Sequence, residues 1–371
     1  MSGVKRLLIC ALVASLAIFG ALLPSGLADG GPNHRVRNLR FGVSGGNVND
    51  STRRFCCSGT LGALITDGSN QYILSNNHVL ARGNQAVAGE DVSQPGLIDS
   101  NCNIATVVAD FTGAANLGSS NVDAAVAQLR PGQMDGSGFI EDIGVPSSTI
   151  AAPTVGMSVA KSGRTTGFTT GAISSINTSV NVQYTTQCGG GRKFTIAFTS
   201  QIVITPGTFS AGGDSGSLIV TNNASHNPVG LLFAGSSSST IANPIGLVLT
   251  RLGTALGRTF SFGGGGGGGG AAPTTSSDNG RRPFIPGLEN VMPILPEQAS
   301  NRARAGLETH RANIMVTPGV MGAGIGASGR ADGEASIVIY VNKDAPQKPF
   351  IPDTIDGIPV TVVETDLFVA R

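Results

Sequence analysis

The chain has 371 residues with 54 glycines, no tryptophan and 13% charged residues, a composition that suits short strands joined by many turns and leaves room for two or three domains. Its formal net charge of +1 supplies neither the basic surface a nucleic acid needs nor a cationic face for a membrane.

The first stretch differs in kind from the rest. Lys5 and Arg6 precede an almost unbroken apolar run, Leu7 to Leu23, and Gly26-Leu27-Ala28 offers the small residues a signal peptidase prefers. Residues 1–28 are expected to be a secretory signal peptide, so the product would be secreted, extracellular or periplasmic, and off the membrane once the signal is cut. An uncleaved anchor is the alternative, although the run is just short of a typical span. Cys10 leaves with the signal, and Cys56, Cys57, Cys102 and Cys188 remain as disulfide candidates. Pairing two adjacent cysteines strains the peptide between them, so Cys56 and Cys57 should reach different partners, one of them Cys102 and the other Cys188. The other use of such side chains is metal ligation. No Cys or His spacing here resembles a zinc site, and neither metal nor cofactor is expected.

After a polar stretch, Arg35 to Arg54, short β-type runs begin. Gly62–Thr66 and Gln71–Ser75 flank the turn signal Asp67-Gly68 and predict a hairpin. Further strands are expected at Ala105–Phe111, Ala124–Leu129, Met157–Lys161, Phe168–Ile176, Val180–Tyr184, Lys193–Phe198, Gln201–Thr205, Ser217–Val220, Val229–Phe233 and Ile245–Leu249, with Leu247–Leu256 also suited to a short helix. Their regular separation by Gly, Asn, Asp, Ser and Pro is the pattern of an all-β sandwich or barrel. Residues 29–262 therefore form one β-rich domain. The run Gly263 to Gly270 and the Ala, Pro, Thr and Ser that follow cannot bury a core, so residues 263–282 read as a flexible linker. Residues 283–371 form a small α+β domain, with a helix over Glu297–Ile314 and strands at Val320–Ile325, Ala335–Val341 and Val360–Val363. Its Gly322-Ala323-Gly324-Ile325-Gly326 lacks the helix start of a nucleotide loop and reads as close packing or a bulged strand.

Three short segments carry chemistry. In Gly213-Asp214-Ser215-Gly216 a serine stands between flexible neighbours just before an apolar strand, which exposes a hydroxyl on a tight turn and leaves the Gly213 and Ser215 N–H groups as oxyanion donors. A plain polar turn would use the same residues. His78 directly follows the Gln71–Ser75 strand, at a strand end and not inside a core, although a lone histidine is often structural. Asp123 opens the apolar run Ala124–Leu129, where burying an acid is costly unless it accepts hydrogen bonds; an Asx-turn is the plainer use. Asp110 and Asp135 compete for that role, but the first precedes Phe-Thr-Gly and the second lies in a loop with no following strand. Serine is a weak nucleophile until a base takes its proton, and the base needs a carboxylate to hold its tautomer. His, Asp and Ser in that order supply all three.

The segments Ser75-Asn76-Asn77-His78-Val79, Val122-Asp123-Ala124-Ala125 and Gly213-Asp214-Ser215-Gly216 resemble the catalytic blocks of the chymotrypsin-fold (trypsin-like) serine proteases. Ser162-Gly163-Arg164-Thr165-Thr166-Gly167 and Gly230-Leu231-Leu232-Phe233-Ala234-Gly235-Ser236 are similar to the bacterial secreted type, and the likeness spans about Arg54 to Leu256. The resemblance implies two six-stranded antiparallel β-barrels meeting at a cleft, with His78 as general base and then acid, Asp123 orienting it, Ser215 attacking, and Gly213 and Ser215 N–H forming the oxyanion hole. It also implies that Ala234, Gly235 and Ser236 pair with the substrate backbone and line the specificity pocket, and that Asp214 holds the oxyanion loop through Lys161. Phe209 stands six residues before Ser215, where a preference for Lys or Arg would need an acid. No Ile or Val followed by Gly-Gly marks an animal-type activation site. Thr317-Pro318-Gly319-Val320, Ser336–Val341 and Asp356-Gly357-Ile358-Pro359-Val360 resemble a small domain fused to some bacterial and plant trypsin-like proteins. The expectation is a secreted serine endopeptidase acting on a protein or peptide. The alternatives are a binding or scaffold protein on a degenerate protease fold, or a self-processing protease that cuts its own glycine linker. The sequence fixes no oligomeric state.

Overall fold

The computed structural model describes residues 39–263, 295–330 and 333–370. The signal-like segment 1–28, and the linker beyond Gly263, lie outside the described residues.

The first half of the β-rich region contains β1 (Val43–Asn47), β2 (Gly59–Leu61), β3 (Ala63–Thr66), β4 (Gln71–Ser75), the one-turn α1 (Asn77–Leu80), β5 (Asp91–Gln94), β6 (Thr106–Ala114) and β7 (Ala125–Leu129). Its seven-stranded sheet runs β2-β1-β5-β6-β7-β4-β3. Strands β2 and β3 are one run interrupted at Gly62, whose N–H donates to Leu74 O at 3.0 Å, so the sheet ends meet and the barrel nearly closes. Aliphatic residues fill it, among them Leu61, Ile65, Ile73, Leu74, Val108 and Val126, all fully buried. The β3–β4 hairpin turns where expected because the Asp67 carboxylate accepts from the Ser69 and Asn70 N–H groups at 2.9 and 2.8 Å.

The second half contains β8 (Ser158–Gly163), β9 (Gly167–Gln187), β10 (Gly190–Thr205), β11 (Leu218–Thr221), β12 (Pro228–Gly235) and β13 (Thr240–Pro244). Because β10 also pairs with β9, these six strands close into a ring. Strand β9 has 21 residues and β10 has 16, and together they form a long ribbon where the sequence suggested two strands each. The interruptions at Asn177 and Ser200, both at positive φ, are irregularities inside continuous strands. Ile245–Leu249 is not a strand: it belongs to α2 (Ile245–Leu256). Ile245, Val248 and Leu252 recur at helical spacing and are all buried, which a strand's alternation would not allow, and the Gly257 N–H closes the helix on Gly253 O.

The last part of the chain contributes α3 (Glu297–Met315), β14 (Val320–Ala327), β15 (Ala335–Asn342), β16 (Thr354–Ile355), β17 (Ile358–Thr365) and β18 (Phe368–Ala370). Its sheet continues that of the second barrel. Strand β14 pairs antiparallel with β9, Gly322 facing Val180 and Gly326 facing Ser175, and the joined sheet has eleven strands. Gly324 marks a register shift in this seam, and any Cβ there would strike the Thr178 side chain. The Ser175 and Tyr340 hydroxyls bond across the seam at 2.8 Å. Helix α3 covers the other face with Ala303, Leu307 and Ile314, which share a cluster with Ile337, Ile339 and Ile358.

Among the described residues two disulfides are present, Cys56–Cys102 and Cys57–Cys188. The second ties the β1–β2 loop to the tip of the β9–β10 ribbon. With sequence separations of 46 and 131 residues, they remove about 4 and about 5 kcal/mol of unfolded-chain entropy.

Candidate active site

Strand β4 stops at Ser75 and α1 starts at Asn77, and this change of direction sets His78 on the barrel rim with its side chain 19% exposed. The polar residues before it fix the turn. Ser75 Oγ–H donates to Thr60 O at 2.7 Å, Asn76 Nδ2 to Asp123 O at 2.6 Å and Asn77 Nδ2 to Ala115 O at 2.8 Å.

Asp123 is fully buried at the mouth of β7. Its Oδ1 accepts from the His78 backbone N–H at 3.1 Å, and Oδ2 accepts from His78 Nδ1–H at 2.6 Å and from Tyr184 Oη–H at 2.9 Å. A buried carboxylate is stable only with such donors. An ionised carboxylate can only accept, so when the His78 imidazole is neutral its proton sits on Nδ1 and Nε2 carries the lone pair. The Asp123 N–H is held by Asn243 Oδ1 at 2.9 Å, so β13 also fixes the acid. Asp110 is instead engaged by Arg130 at 2.6 Å, and Asp135 accepts from the Ser137 N–H at 2.9 Å within its own loop.

The sequence did not single out Tyr184. It lies on β9, in the second barrel, and crosses to the acid of the first. Burial, and then the Asp123 charge, push its phenol well above the usual range, so it stays an O–H donor. The legible signal was the alternation Val180, Val182, Tyr184, which points all three into one buried cluster. Asp50 was also missed. Burial pushes its carboxyl up to about 6, against the pull of His78 and Arg82, so a second carboxyl besides Asp123 feels the His78 ring.

Ser215 lies on the turn that enters β11. Gly213 at φ +97° and Gly216 at φ +95° hold a left-handed backbone on either side of it, which side chains rarely adopt. Thr60 on β2 clamps this turn to the first barrel: its N–H donates to Ser215 O at 2.8 Å and its Oγ–H to Gly213 O at 3.0 Å. The same residue's carbonyl receives Ser75 Oγ–H, so Thr60 links the serine turn to the segment that carries His78. Ser215 is fully buried and its Oγ–H points to Phe233 O at 3.3 Å.

Asp214 and Lys161 are both fully buried, 3.4 Å apart. Thr165 and Thr166 N–H groups donate to Asp214 Oδ1 at 2.7 and 3.2 Å, and Thr166 Oγ–H and the Ala211 N–H donate to Oδ2 at 2.7 and 2.9 Å. Lys161 also meets Thr166 Oγ1, and donates to Gly167 O at 3.0 Å. Burial lowers the Lys161 pKa, and Asp214 pulls it back. Such a pair fixes geometry more than it adds stability. Phe209 is buried in the second barrel, with the Lys161 ammonium 5.9 Å from its ring centre.

Ala234 and Gly235 end β12, and Ser236 follows, its N–H bonded to Ser239 O at 2.8 Å. Ala234 and Gly235 carry a partner strand, β18. Among the described residues no three His, Cys, Asp or Glu side chains cluster to hold a metal ion, and no helix is long and apolar enough to cross a membrane.

A family model described as trypsin matches residues 42–252. No curated protein sequence matches the chain. Among solved structures, a glutamic-acid-specific serine protease, described as using a histidine triad in substrate binding, is 22% identical over 60% of this chain and 100% of its own, with a TM-score of 0.42. The Nocardiopsis protease is 15% identical over 61% and 98%, at a TM-score of 0.40. Cellulomonas bogoriensis chymotrypsin is 18% identical over 60% and 98%, at 0.39.

Proposed function

Because the chain belongs to the trypsin family of serine proteases, we propose that it is an exported serine endopeptidase whose triad is His78, Asp123 and Ser215. The observation that carries this reading is the 2.6 Å bond from His78 Nδ1–H to the buried Asp123 carboxylate. With the proton on Nδ1, Nε2 is the ring nitrogen left to accept one, and Thr60 clamps the Ser215 turn to the barrel that carries His78. In this reading Nε2 takes the Ser215 proton as Oγ attacks the substrate carbonyl. The tetrahedral oxyanion is received by the Gly213 and Ser215 N–H groups. His78 then gives its proton to the leaving amine, an acyl-enzyme remains, and a water activated by the same nitrogen hydrolyses it. Tyr184 and the His78 N–H hold the Asp123 carboxyl in place, so in this reading the acid stabilises the imidazolium without taking its proton. Lys161 and Asp214 hold the loop that presents the oxyanion donors, and Ala234–Ser236 form the substrate edge.

Export is supported by the signal-like segment and by two disulfides, which persist in oxidising compartments. A fluorophosphonate probe is expected to label Ser215, and Ser215→Ala to abolish both labelling and peptide cleavage. Cleavage retained by the alanine variant would remove Ser215 from the mechanism.

A further inference from the structure

Strand β18 occupies the edge that the proposed protease offers to its substrate. It runs antiparallel to β12, Val369 facing Gly235 and Ala370 facing Ala234, and so heads toward Phe233, whose carbonyl receives Ser215 Oγ–H. On its other side it pairs with β9, Phe368 facing Val182 and Val369 facing Gln183, so the strand fills a slot between two strands.

The slot has specific anchors. Phe368 is 1% exposed, in one cluster with Val182, Phe233 and Tyr340, while Val369 on the opposite face is 39% exposed. Its ring meets Tyr340 edge-on at 5.7 Å. Asp366 accepts from Ser237 N–H at 2.8 Å and Ser237 Oγ–H at 2.6 Å, and Thr365 Oγ–H donates to Ser236 Oγ at 2.7 Å. These contacts fall on Ser236 and its neighbour, at the end of the substrate edge.

Resting on the protease reading, we propose that this slot is a peptide-binding site whose resident ligand is the chain's own segment Thr365–Ala370, delivered by the β9–β14 seam, and that outside substrates reach Ser215 only when the segment leaves. The ligand class is an extended peptide that adds a strand to β12 and places an aromatic side chain where Phe368 lies. Covalent attachment through the same chain raises the local concentration of this ligand far above that of a free peptide. The accessible fraction of the site is therefore small, and the apparent reactivity of Ser215 falls in proportion.

The test uses the full chain with two readouts, the rate of fluorophosphonate labelling at Ser215 and hydrogen exchange at the amides of Ala234 and Gly235. Val369→Pro removes an N–H from a strand that has neighbours on both sides. This variant and Phe368→Ala are expected to label about tenfold faster or more and to lose protection at Ala234 and Gly235. Adding a synthetic peptide of residues 364–370 should slow labelling of the proline variant again. If the core variants do not fold, Asp366→Ala, outside the core, should give the same changes to a smaller degree. Labelling rates and protection equal to those of the unsubstituted chain overturn the proposal and leave the protease reading standing. If no variant labels at all, the protease reading fails, while protection at Gly235 still decides whether the segment is bound.

Discussion

The two sheets are built on opposite plans. The seven-stranded sheet uses one continuous stretch of chain and nearly closes on itself, and it carries His78 and Asp123 on its rim. The eleven-stranded sheet closes a ring of six strands, yet leaves β9 and β12 with edges that take β14 and β18 from the far side of the glycine run. The self-contained barrel carries His78 and Asp123, the proposed base and acid, bonded to each other. The other sheet holds Ser215 and, in the reading proposed above, the edge at Ala234–Ser236 from which β18 would have to leave for a substrate to bind. Rigidity and access are thus divided between the halves of one site.

The division is most exposed where the two barrels touch. A Cβ at Gly216 would strike Thr60 O and Ser75 Oγ, and its φ of +95° disfavours a side chain as well. Gly216→Ala is expected to destabilise the fold by about 3 kcal/mol and to abolish peptide cleavage, as read by denaturant unfolding and a peptide assay. Full stability in that variant would mean that the barrels do not depend on this contact.

Tyr184, on the second sheet, donates to the carboxylate of Asp123 on the first. Tyr184→Phe keeps the packing and removes a donor to a buried charge, so kcat/KM should fall about tenfold with KM unchanged. A KM effect alone would assign the tyrosine to the substrate edge and not to the acid. The smallest effect concerns the terminal strand. Burial opposes the charged form of Asp366, but hydrogen bonds from Ser237 outweigh it and hold its carboxyl below the usual range, with Lys343 the charged group near it. A depressed acid contributes above its ordinary value near 4 and stops contributing as pH falls through the docked value. Protection at Ala234 and Gly235 should therefore weaken about threefold on acidification, and Asp366→Asn should remove that dependence.

How much of this was legible follows the range of the interactions. The hairpin at Asp67, helix α3 and the strands around the serine turn rest on local signals and were read from sequence. So were the positions of His78, Asp123 and Ser215, because each sits at a strand edge marked by its own neighbours. The helical Ile245–Leu256 was misread in part because a short apolar run fits either period until its burial is known. Tyr184 bonds a partner 61 residues away and Thr60 one 153 residues away, and nothing near them, or near Asp50, marks their partners in the sequence. Strand β1 lay in text that seemed polar, and β18 owes its place to the two strands it fills between.

The sheet seam at β9 also sets an order in time. A chain made from its N-terminus completes both barrels, with the proposed triad, by Leu256, whereas β18, the strand proposed to occupy the substrate edge, begins at Phe368. More than a hundred residues therefore separate the birth of the site from the birth of its occupant. If β18 is the occupant proposed above, the site stays uncovered until the residues beyond Leu256, the glycine run among them, have been made and folded.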